Sequence, residues 1–94
     1  MGTMDIEDRT RWVLSVDRRM LVMREVHENG VIRAAEVAER TGRSVQNISR
    51  AIHELESMGL MECLTPDKGT WKRYILTDEG KKVYEELREK HLTE

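Results

Sequence analysis

Gln46, Asn47 and Arg50 are the side chains of this chain best suited to reading the edge of a base pair. Glutamine and asparagine can each make two hydrogen bonds to adenine, and arginine can pair with guanine or hold a phosphate. Their setting fits that chemistry. No acidic residue occurs between Arg40 and His53, whereas Arg40, Arg43 and Arg50 are basic. Acids resume only at Glu54 and Glu56. A second cationic group follows further on. Lys68, Lys72 and Arg73 are opposed by Asp67 alone, a local balance of +2 from three basic residues and one acid.

These residues need a helix beneath them. Val45, Ile48, Ile52 and Leu55 recur at three- and four-residue spacing, with Ala51 beside them. That spacing makes one apolar stripe and predicts a helix over 44–58. Ser44 is placed to cap it, its hydroxyl accepting the amide of Gln46 or Asn47. With Arg43, it lies where free backbone amides favour phosphate.

A shorter helix is predicted over 34–41, with Val37 and Ala38 inward and Arg33 at a cap position where Ser or Thr would serve better. Thr41-Gly42-Arg43 then forms a tight turn, Gly42 supplying positive φ. Helix, glycine turn, helix is a helix-turn-helix arrangement. Upstream, Val22, Met23 and Val26 mark a helix over 16–29, and Val31-Ile32 is a short extended pair. Before it, Asp5 to Ser15 reads as a short helix or irregular arm whose Trp12-Val13-Leu14 must pack on the domain or on a second subunit. Downstream, Leu60–Leu64 and Lys72–Leu76 have strand character and flank turn-forming residues, a predicted hairpin. Trp71 would brace that hairpin or stack on sugar. Thr77 then caps a last helix over 78–91, whose apolar stripe is Val83, Tyr84 and Leu87, with His91 beyond.

The chain has 94 residues, room for one domain, and a net charge of −2. That balance excludes a globally basic nucleic-acid coat but not a local basic face. A single cysteine, Cys63, excludes an internal disulfide and points to a reducing compartment; the cytoplasm is expected. No run approaches the roughly 20 apolar residues of a membrane span, and no leader-like segment opens the chain. Cys63 reads as a small core residue, and His27, His53 and His91 are scattered over three helices, so no metal site is expected. No phosphate-cradling glycine loop or nucleophile signature occurs, and neither catalysis nor a cofactor is expected.

Gly30-Val31-Ile32 with Ala35–Gly42, then Ser44-Val45, Ile48-Ser49-Arg50 and Glu54-Leu55-Glu56, resemble the helix-turn-helix of winged-helix regulators. Glu62–Pro66 and Arg73–Gly80 are similar to their wing and the start of their last helix. The closest likeness is to small archaeal regulators of the broad MarR/ArsR-like group, over about Val13 to Leu87. It implies a mainly α fold with a small β-hairpin: a single domain over 1–94 with an arm (1–14), a winged-helix core (16–76) and a C-terminal dimerisation helix (78–91). It also implies a sequence-specific regulator of transcription that binds double-stranded DNA. The expected DNA-binding residues are Arg43, Ser44, Gln46, Asn47, Arg50, Lys68, Lys72 and Arg73. A homodimer is expected because the last helix is too apolar for so small a domain to cover. Its interface would use Trp12, Val13, Val83, Tyr84, Leu87 and His91. No effector-binding motif is recognisable. The competing reading is a winged-helix module that binds protein within a larger assembly and contacts no bases.

Overall fold

A computed structural model describes residues 5–67, 69 and 72–90. Lys68, Trp71 and His91 lie outside the described residues. The element order is α1 (Ile6–Leu14), α2 (Asp17–Asn29), α3 (Ala34–Thr41), α4 (Val45–Ser57), β1 (Met61–Cys63), β2 (Tyr74–Leu76) and α5 (Asp78–Lys90).

Each helix starts where its sequence allows. Asp5 caps α1 by accepting the Asp8 amide at 2.8 Å, with Glu7 and Asp8 at the positive end. Arg33 stands at the N-cap of α3 without a capping side-chain bond. Gly42, at φ 73°, closes α3 in the left-handed conformation and turns the chain toward α4. The Ser44 hydroxyl accepts the Asn47 amide at 3.0 Å to begin α4.

β1 and β2 pair antiparallel with Cys63 opposite Tyr74 and Met61 opposite Leu76. Ile32 adds a third, one-residue rung: it donates to the Tyr74 carbonyl at 3.0 Å and accepts the Tyr74 amide at 2.9 Å. The extended pair before α3 is therefore hydrogen-bonded to the base of the wing. That fixes the start of α3 relative to β2.

The core gathers Val22, Met23 and Val26 of α2, Val37 and Ala38 of α3, and Ile48, Ala51, Ile52 and Leu55 of α4. Val83, Tyr84 and Leu87 of α5 join the same cluster. Here the premise behind the expected dimer seam is corrected. Val83 and Leu87 are fully buried and Tyr84 is 5% exposed within one chain. The reason is α1. The segment left open as a helix or irregular arm is a regular helix that packs along α5 and buries Val13 completely. His27 of α2 also stacks on Tyr84 with ring centroids 4.1 Å apart. Fully burying a leucine or valine side chain is worth roughly 1.5–3 kcal/mol. These residues contribute that to the monomer and are not free to pack on a second copy.

A close approach locks the wing to α5. The Thr77 hydroxyl donates to the Gly59 carbonyl at 2.6 Å and accepts the Gly80 amide at 3.0 Å. Gly80 lies so near Leu60 that an added Cβ would sit 2.1 Å from its carbonyl oxygen. Only glycine fits there.

Candidate nucleic-acid interface

α4 buries one face and offers the other. Ile48, Ala51 and Leu55 are fully buried and Ile52 is 1% exposed. On the opposite side Gln46, Arg50 and His53 are exposed and Ser49 is half-buried. With Glu54 and Ser57 they line a shallow hollow of about 460 Å³. Gln46, Arg50 and His53 have no side-chain hydrogen bond or ion pair among the described residues. Their polar groups are available to a ligand.

Glu54, the first of the acids that resume after His53, borders this hollow with its charge paired. Glu54 turns toward α2, where Arg18 donates to it at 2.7 Å and Arg19 at 3.0 Å. Burial would raise its pKa, but the hydrogen bonds and charge of Arg18 and Arg19 prevail and hold it below the ordinary value. Arg19 also lies 3.8 Å over the Trp12 ring and donates to the Trp12 carbonyl at 2.8 Å. One guanidinium thus ties α1, α2 and α4 together. It also neutralises a carboxylate that would otherwise repel phosphate.

The other expected residues divide. Ser44 is exposed, but its hydroxyl oxygen already accepts the helix cap. Arg43 is engaged by Asp17 of α2. Asn47 is half-buried, and its Oδ1 is buried without a partner among the described residues. Lys72 and Arg73 are exposed on the strand returning from the wing. The positive charge of Arg73 reaches Glu36 of α3. The Glu36 pKa is lowered chiefly by a hydrogen bond from Arg33, with Arg40 and Arg73 adding to the effect. Lys72 lines a second hollow, of about 670 Å³, with Val45, Ser49 and His53 of α4. The wing root and α4 therefore share one concave surface.

Two residues of that surface, Val45 and Ser49, are not among the expected contacts, and His53 is expected to touch phosphate or nothing. Val45 was counted in the buried stripe, yet it is 49% exposed. Ser49 and His53 lie on the outer face between the residues singled out. The signal for Ser49 was available: it stands three residues beyond Gln46 on a helix, hence on the same side.

Residues 13–83 match the HVO_A0114 family, which is about three-quarters of the chain. The chain belongs to the HVO_A0114 family. It is also 30% identical over 90 residues to the transcriptional regulator MntR of Escherichia coli O157:H7. That match covers 96% of the chain but only 55% of the relative, so the chain spans about half of that protein's length. Among solved structures, it is similar to TubR from Bacillus thuringiensis serovar israelensis, captured bound to 24 bp of tubC. The TM-score is 0.79 at 21% identity, covering 96% of this chain and 99% of that one. A MarR-family transcriptional regulator from Silicibacter pomeroyi superposes with a TM-score of 0.70 at 17% identity, over 88% of this chain and 58% of that one. The fold is the winged helix-turn-helix that the sequence resemblance implied: mainly α, with a small two-stranded wing. Among the described residues no helix is long and apolar enough to cross a membrane, and no group of three or more His, Cys, Asp or Glu is placed to hold a metal ion.

Proposed function

We propose that this chain regulates transcription by binding double-stranded DNA sequence-specifically, with the N-terminal half of α4 in the major groove. The observation that carries this is the outward face of α4, where Gln46 and Arg50 are exposed and free of partners among the described residues, and where the one bordering acid, Glu54, is paired with Arg18 and Arg19. Gln46 would read adenine and Arg50 guanine, or Arg50 would hold phosphate. Asn47 is a secondary contact that must rotate its amide to reach a base. Ser44 and Arg43 would bind phosphate at the start of α4, through backbone amides and a guanidinium shared with Asp17. The wing, with Lys68, Lys72 and Arg73, would follow the backbone or enter the minor groove. The capture of TubR on a DNA duplex and the regulator MntR support the reading. No catalytic step is assigned to any residue.

The functional unit is proposed to be a cytoplasmic homodimer. The chain measures 33 × 31 × 20 Å. Two copies side by side would set their recognition helices about 34 Å apart, one turn of DNA. Because α1 already covers the α5 stripe, such a dimer must use other surfaces, for which the half-buried Trp12 is a candidate.

Duplex binding measured against salt tests the proposal. Contact with about 6 phosphates per dimer predicts a log–log slope near −5. No measurable affinity for any duplex at low salt would overturn it and favour the protein-binding module.

A further inference from the structure

Val45 belongs by spacing to the stripe of Ile48, Ile52 and Leu55, yet those three are at most 1% exposed while Val45 is 49% exposed. It is the first residue of α4, directly after the Ser44 cap and before Gln46. The start of α4 projects beyond the core, so the stripe runs out of cover there. Val45 lines the 670 Å³ hollow together with Ala34 and Ala35 of α3 and Lys72 of the wing. The result is a small apolar patch inside an otherwise polar surface, at the end of the helix that reaches base edges.

The major groove offers one apolar group, the 5-methyl of thymine. From this we infer that Val45 reads a thymine methyl, with Ala34 and Ala35 flanking it. The inference rests on the reading of α4 as the recognition helix and adds a specificity that the polar residues do not supply. Gln46 pairs with an adenine edge, and Val45 meets the methyl of the same or adjacent A·T pair. Lys72, across the hollow, holds the backbone that bounds it. Together they make the half-site A·T-rich at the step under the start of α4.

The test uses the duplex that the wild-type chain selects from a random pool. Each thymine is replaced in turn by deoxyuracil, which removes only the methyl. At one position per half-site the loss should weaken wild-type binding about 3- to 5-fold, the worth of one buried methyl. Val45→Ala should bind with the same affinity to both duplexes at that position. Its thermal midpoint should not fall, because the side chain is half exposed and alanine favours the helix. If no replacement weakens the wild type, or if Val45→Ala is equally sensitive, the inference fails while DNA binding stands. If the wild type enriches no duplex, both fall together.

Discussion

Arg43 and Arg50 have the same side chain and different situations. Arg43 is tied to Asp17, whereas Arg50 is exposed with no partner among the described residues. Arg50→Ala should therefore cost about 1–3 kcal/mol of duplex affinity if it reads a base. It should leave stability within about 0.5 kcal/mol, as for other surface changes. Anisotropy titration and a denaturant melt on the same preparation separate the two effects. Unaltered affinity would remove Arg50 from the interface. Asp17→Asn should act in the opposite direction. Releasing Arg43 and deleting a negative charge should tighten binding at low salt and steepen its salt dependence. At this scale the sequence was informative about residue type and less so about direction. Gln46 and Arg50 could be placed on the outer face from spacing alone. The partial burial of Asn47 was not legible, because it depends on neighbours in space. Val45 was misplaced because a 3.6-residue period shows which residues align but not how far the core extends along the helix.

Among the elements, α4 is held by Glu54 and α5 by Gly80, and neither role was visible in the sequence. Glu54 looked like one of the acids at an anionic helix end. Its partners, Arg18 and Arg19, lie more than thirty residues away and meet it only after α2 packs on α4. Its folded pKa lies below the ordinary 4.5. The stability it contributes is therefore present above that value and is lost as pH falls through the folded pKa. Glu54→Gln should lower stability by about 1 kcal/mol at neutral pH, given partial exposure of the pair. It should also flatten the acid side of the stability profile below about pH 4.5. A variant whose acid limb matched the wild type would show that the pairing contributes nothing to folding. Gly80→Ala should be much more damaging. A Cβ placed 2.1 Å from a backbone oxygen forces α5 away from the wing root. A loss of roughly 2–4 kcal/mol in a urea melt is expected.

At the scale of the whole molecule, the order of helices and hairpin was legible because each element carries its own punctuation: Ser44, Gly42, Thr77 and the Thr65-Pro66-Asp67 turn. What covers what was less legible. Val83, Tyr84 and Leu87 read as a seam awaiting a second copy, since the apolar pattern of α1 is short and interrupted by charge. In the folded chain Arg9 bonds Glu79 at 3.2 Å and α1 lies against α5, so the seam is internal. The outer face of α4 and the root of the wing form the one concave surface proposed to meet duplex DNA. The most direct measurement is a residue-by-residue map of amide chemical shifts in the isotope-labelled chain as the selected duplex is added. Shifts should concentrate over residues 43–53 and 64–74 and leave the exposed face of α5 unchanged. Shifts confined to α1 and α5, or none at all, would contradict it.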